Sequence, residues 1–167
     1  MRRSGAAGLD PEQARKIAEE CYGGVLAYCK RHAPAGHEPA DLAQETFLRF
    51  VRAGSYQERG KPIAYLLRTA RNVCIDASRK RRLETVPLDV DPPAEEWNES
   101  GVDLDEALAN LPDELREAVE LRYGLGLGVS EMAHALAISR FSVRRRIRAA
   151  LKLLEEDLKE SDPRTQT

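Results

Sequence analysis

Four times in this chain a proline heads a run of apolar residues spaced three and four apart: Pro11, Pro39, Pro62 and Pro112. Proline lacks the backbone N–H that a helix interior uses, but the first turn of a helix has no partner for that group anyway. A proline followed by 3.6-residue periodicity therefore marks a helix start, and its repetition confines the chain to helices. The clearest run follows Pro62. Ile63, Leu66, Leu67, Ala70, Val73, Cys74 and Ala77 recur at helical spacing, which predicts a helix to about Arg82 with one buried face.

The same reading covers the rest of the chain. Asp10 at an N-cap, Pro11 behind it and Gln13 three residues after the cap open a first helix to about His32, with Gly23 and Gly24 weakening its middle. A turn at "APAGHEP" leads into a second helix from Pro39 to near Gly54, with Ala43, Phe47, Phe50 and Val51 as its apolar face. The polar loop "GSYQERGK" precedes the third. Beyond "SRKRRLE" the composition changes. The segment "ETVPLDVDPPAEEWNES" holds three prolines, many acids and no cation, and reads as an extended linker. Helical patterning then resumes with "LDEALANL", "LPDELREAVELRYGLG" and "VSEMAHALAISRFSVRRRIRAALKLLEEDL", the last read as helix, tight turn and longer helix. The expectation is an all-α chain of two small helical domains, 10–83 and 102–160, joined by an acidic, proline-containing linker at 84–101. A charged content of 32% with only 5% aromatics agrees with a helical, well-solvated protein.

The formal net charge of −2 hides a strong segregation of sign. "ISRFSVRRRIRAALKLL" carries Arg140, Arg144, Arg145, Arg146, Arg148 and Lys152 without one acid, and the acidic linker offsets it. Within it Val143, Ile147, Ala150 and Leu154 form a core stripe; Phe141, Ser142, Arg145, Ala149 and Lys152 lie opposite. Solvated helix faces normally mix signs for i,i+4 pairing, and this one does not. The helix before it has Met132, Ala133 and Leu136 facing inward, so the pair predicts a helix-turn-helix whose second helix enters the DNA major groove. Arg145 and Arg148 suit base reading, because a guanidinium takes guanine O6 and N7 together. Ser139, Arg140, Arg144 and Arg146 suit phosphates.

The first half offers two more surfaces. Tyr65, Arg68, Asn72, Asp76 and Arg79 form a polar stripe opposite the apolar one, and Arg71, Lys80, Arg81 and Arg82 add charge. An aromatic among cations is what gripping unstacked bases requires. On the second helix Asp41, Gln44, Glu45, Leu48 and Arg52 share a mainly acidic face that suits a basic protein partner.

Several classes are disfavoured. No apolar stretch approaches the ~20 residues that cross a bilayer. "MRRSGAAGLDPEQ" lacks the apolar core of a signal peptide, so the expected location is the cytoplasm, without membrane contact. Cys21, Cys29, His32 and His37 match no compact zinc pattern, and the three cysteines are expected as buried thiols, with no metal and no cofactor. There is no phosphate-cradling glycine loop, HExxH or nucleophile–base pair to make an enzyme. A free-standing helix-turn-helix repressor would need a dimer element, and no heptad run supplies one.

"DLAQETFLRFV", "AYLLRTARNVCIDASRKRR", "LDEALANLPDELREAVELRY" and "VSEMAHALAISRFSVRRRIRAAL" follow one another in an order and spacing that resembles the extracytoplasmic-function (ECF) branch of bacterial RNA polymerase sigma factors. The resemblance implies a subunit that directs transcription initiation of a specific gene set and has no chemistry of its own. It implies that Asp41, Gln44 and Glu45, with Leu48 beside them, dock on the clamp helices of the polymerase β′ subunit, and that the β subunit is also a partner. The helix through Arg82 would read the downstream (−10) promoter element through Tyr65, Arg68, Arg71, Asn72, Asp76 and Arg79. The helix-turn-helix would read the upstream (−35) element through Ser139, Arg140, Phe141, Ser142, Arg144, Arg145, Arg146 and Arg148. An anti-sigma factor is a further partner that the resemblance allows, and within the holoenzyme the chain would associate with the nucleoid. The sequence departs from the family's usual pattern at Tyr65 (commonly Trp), Gly128 (Ser), Ala137 (Gly) and Ala149 (a basic residue).

Overall fold

The computed structural model describes residues 10–53, 61–84 and 102–161. These residues form helices and the turns between them, with no strand among them, as the all-α reading requires. The helices are α1 (Pro11–His32), α2 (Pro39–Ala53), α3 (Pro62–Glu84), α4 (Val102–Asn110), α5 (Asp113–Val119), α6 (Val129–Leu136) and α7 (Arg140–Ser161). The expected linker at 84–101 lies outside the described residues apart from Glu84, which ends α3; so do loop residues 54–60 and the tail beyond 161. Two compact units result, one built on α1, α2 and α3, the other on α4, α5, α7 and the larger part of α6.

In the first unit each helix packs on the other two. Helix α3 buries Leu66, Leu67, Ala70, Val73 and Cys74, as its periodicity predicts, while Ile63 and Ala77 at the ends are half-buried. Each fully buried Leu or Phe contributes about 1.5–3 kcal/mol. That is why α1 runs unbroken through Gly23 and Gly24: Cys21, Val25, Tyr28 and Cys29 are buried on both sides, and outweigh the roughly 0.5–1 kcal/mol that each glycine costs. Asp10 stands at the N-cap, yet its side chain makes no capping bond. The start is held instead by Pro11 and by the Asp10 carbonyl, which accepts from Ala14 N–H at 2.9 Å.

Helix α2 departs from its expected face. Leu42, Ala43, Thr46 and Phe50 are buried, Phe47 is half-buried, and Val51 is 56% exposed. The stripe lies one step round from where apolarity alone puts it, because Thr46 can enter the core. Its hydroxyl donates to the Leu42 carbonyl at 2.8 Å, so burial leaves no polar atom unsatisfied. Phe47 stacks on Tyr22 with ring centroids 6.0 Å apart.

In the second unit α4 and α5 pack on α7. Ala107 and Leu111 meet Ala150 and Leu154, with Leu108, Leu115 and Val119 around them. Beyond α5 the chain winds through a wider turn of π type at Glu120–Gly124, where the sequence predicts an uninterrupted helix. The turn lets both Leu121 and Leu127 be buried, and Arg122 closes it by donating to the Leu127 carbonyl at 2.9 Å. Helix α6 starts at Val129, where the Gly128 N–H bonds to the Glu131 carboxylate at 2.7 Å, half of a capping box. Of its expected inward residues Met132 and Leu136 are buried and Ala133 half-buried. Ala137 then takes φ +55°, the left-handed conformation that turns the chain toward α7.

Candidate nucleic-acid interface

Helix α7 is set by its N-terminus and by its stripe. Ser139 is its cap: the Oγ accepts from Ser142 N–H at 3.0 Å and the hydroxyl donates to Ser142 Oγ at 3.0 Å. Val143, Ala150 and Leu154 are buried and Ile147 half-buried. With that face inward, Arg140, Arg144, Arg145 and Arg148 are exposed, Ser142 is half-buried, and the Phe141 ring is 67% exposed at the first turn. None of those four arginines has an ion-pair partner among the described residues. The second half of α7 differs. Lys152 pairs with Glu156 at 3.8 Å and Lys159 with Glu155 at 2.5 Å, and the Lys159 ammonium holds the Glu155 carboxyl below its usual range. One helix thus carries a half in which acids and cations mix and a half with five arginines and no acid, four of them without an ion-pair partner among the described residues. The cationic half runs from Arg140 to Arg148, with the exposed Phe141 ring in its first turn.

Arg146 is not on that surface. Its side chain is only 15% exposed and its guanidinium pairs with Glu114 of α5 at 2.9 Å, while Nη1 is buried without a partner. It anchors α7 to α5. Ser139, likewise, is occupied as a cap.

In the first unit Arg68, Asn72 and Arg79 lie exposed along α3, and Arg71 is half-buried. Tyr65 is half-buried, its ring meeting Phe50 edge-on at 5.7 Å. Asp76 is exposed but engaged: its carboxylate accepts from Arg49 of α2 at 2.9 Å. On α2 itself Asp41 and Gln44 are exposed, Leu48 is 48% exposed, and Glu45 accepts from the same Arg49 at 2.8 Å. The two carboxylates hold the Arg49 guanidinium above its ordinary pKa, Asp76 contributing most. Sequence reading missed Arg49 and Glu114. Arg49 could have been noticed as the i+4 partner of Glu45.

The three cysteines are buried thiols with no disulfide among them. Burial pushes the Cys21 thiol up, whereas a hydrogen bond with Cys74 pulls Cys29 down. Among the described residues no cluster of His, Cys, Asp or Glu could hold a metal ion, and no helix is long and apolar enough to cross a membrane.

Both units correspond to known families. Residues 17–84 match the family model of Sigma-70 region 2, and residues 101–154 that of Sigma-70, region 4. The ECF RNA polymerase sigma factor SigM of Bacillus subtilis (strain 168) is 33% identical over 131 residues, covering 68% of this chain and 79% of that protein. The chain belongs to the ECF sigma factors. Family membership makes it a promoter-recognising specificity subunit of transcription. The ECF RNA polymerase sigma factor SigE of Mycolicibacterium smegmatis is 35% identical over 159 residues and 88% of this chain, which spans 60% of that relative's length. The fold of this sigma factor is similar to that of RpoE of Bartonella quintana, solved in complex with the anti-sigma factor NepR. The TM-score is 0.66 at 21% identity, over 87% of this chain and 96% of that one.

Proposed function

We propose that this sigma factor binds core RNA polymerase through α2, reads the −10 element through α3 and the −35 element through α7, and so directs initiation at a specific set of promoters. The observation that carries the reading is the cationic half of α7: Arg140, Arg144, Arg145 and Arg148, exposed and without an ion-pair partner among the described residues, on the second helix of a helix-turn-helix. Such a face is stable in isolation only because water solvates it, and a duplex backbone is its natural counterion. Arg145 and Arg148 read base edges, Arg140 and Arg144 hold phosphates, and Phe141 and Ser142 lie at the groove floor. On α3, Tyr65 with Arg68, Arg71, Asn72 and Arg79 grips the opened downstream element. The acidic face of Asp41, Gln44 and Glu45, with Leu48 as its apolar contact, docks on the basic clamp helices of β′, and the β subunit meets the second unit.

In this reading 10–83 and 102–160 are separate domains and 84–101 spans between them inside the polymerase. The chain works in the cytoplasm, with the nucleoid when in holoenzyme, performs no chemistry itself and needs neither cofactor nor metal. An anti-sigma factor, such as the one bound to the Bartonella protein, is a further partner. Transcription in vitro with core polymerase on a promoter library tests the reading: transcripts should start only from templates sharing two elements at one spacing. Reversing charge at Asp41 and Glu45 should weaken core binding. A chain that leaves core polymerase without promoter preference would refute it.

A further inference from the structure

Arg49 lies between the two working faces of the first unit. Its Nε donates to Glu45 at 2.8 Å, on the acidic face of α2, and its Nη1 donates to Asp76 at 2.9 Å, on the polar stripe of α3. All three side chains are about half exposed, at 40%, 40% and 52%. One cation is therefore shared by two anions that belong to different surfaces. On α2 it competes with any cation that approaches Glu45. On α3 it neutralises a carboxylate that would otherwise repel phosphates beside Arg79 and Asn72.

We propose that Arg49 is a positioning residue that ties polymerase docking to promoter reading: a partner cation that takes Glu45 leaves Arg49 to Asp76 alone, which removes negative charge from the DNA face. The proposal rests on the assignment of α2 to core polymerase and α3 to the −10 element. Coupling of this kind is reciprocal, so promoter DNA on α3 also tightens docking on α2. Because the pairs are exposed and salt-screened, each is worth only about a two- to five-fold change in an equilibrium.

The test uses the full chain, core RNA polymerase and a forked duplex carrying the −10 element. Arg49→Met keeps most of the stem and removes the charge. Glu45 then has no internal competitor, so binding to core polymerase alone should tighten by about two- to five-fold. Asp76 is left uncompensated, so capture of the forked duplex by the holoenzyme should weaken by a similar factor, and the difference should fade as salt is raised. A folding defect would weaken both; opposite signs separate the two explanations. Arg49→Lys keeps a cation and should return promoter capture to within about two-fold of the parent. In an Asp76→Asn background, where no carboxylate is left to neutralise, Arg49→Met should cause no further loss of promoter capture. Changes of the same sign, no change in either while the parent chain binds both, or a further loss from Arg49→Met in the Asp76→Asn background would each overturn the proposal and leave the functional reading intact. A parent chain that does not bind core polymerase would overturn both.

Discussion

Ala137 holds φ +55° at the turn between α6 and α7, and its side chain is exposed. For a residue with a Cβ the left-handed region costs about 1–2 kcal/mol relative to the right-handed one. Glycine escapes that cost but gives up about 0.5–1 kcal/mol more backbone entropy on folding. Little packing is lost with an exposed methyl, so Ala137→Gly should stabilise the turn by the difference, about 0.5–1 kcal/mol. The backbone bonds that depend on this geometry are Ala137 N–H to the His134 carbonyl at 3.3 Å and Ile138 N–H to the Ala133 carbonyl at 3.1 Å. Their amide exchange, followed by NMR in the full chain, should slow about two- to five-fold, and the urea midpoint should rise. Ala137→Val is the control: a β-branched residue tolerates this region worst, so it should destabilise. Equal or faster exchange in Ala137→Gly would mean that the turn carries no strain, and the reasoning from φ would fall.

Four other substitutions follow from the structure. A methyl at Gly23 would meet nothing within 4 Å, so Gly23→Ala should stabilise α1 by about 0.5–1 kcal/mol, read as a higher urea midpoint. Arg145→Ala should relax preference in the −35 element by about 1–3 kcal/mol at one base pair, whereas Arg144→Ala should weaken all duplexes alike and reduce the salt slope by about one; binding across a salt series distinguishes them. Arg146→Ala should leave that slope unchanged, because Glu114 already neutralises Arg146, yet lower thermal stability by removing the link between α5 and α7.

What could be read from the sequence was whatever repeats along one helix. The buried residues of α3 and the stripe of α7 follow from 3.6-residue spacing, and the starts of α1, α2 and α3 follow from proline. What could not be read was decided by a neighbour. Thr46 replaces Val51 in the core because a local carbonyl satisfies its hydroxyl, and apolarity scores the two the other way. The wider turn at Glu120–Gly124 arises because Leu121 and Leu127 must both reach the interior, a demand of packing rather than of propensity. Arg49 could be paired with Glu45 by spacing, but Asp76 lies 27 residues away, and only the packing of α2 on α3 brings it within reach.

The arginines of α7 show how far position outranks residue type. At about 100° per residue, Arg145 stands about 160° from Val143, Arg148 about 140° and Arg144 about 100°, whereas Arg146 stands only about 60° away. A residue that close to the stripe must bury its stem whatever its charge, and an arginine can do so because its methylenes are apolar. Burial of the guanidinium then requires a counterion, and Glu114 supplies it at 2.9 Å. Four neighbouring basic residues of the same chemistry thus divide into one that fixes the helix and three that face outward. The outward ones have no such counterion among the described residues, so their charge stays with water there. The division explains why the helix can present dense positive charge without being pushed off its own domain: the one cation nearest the core is the one already neutralised.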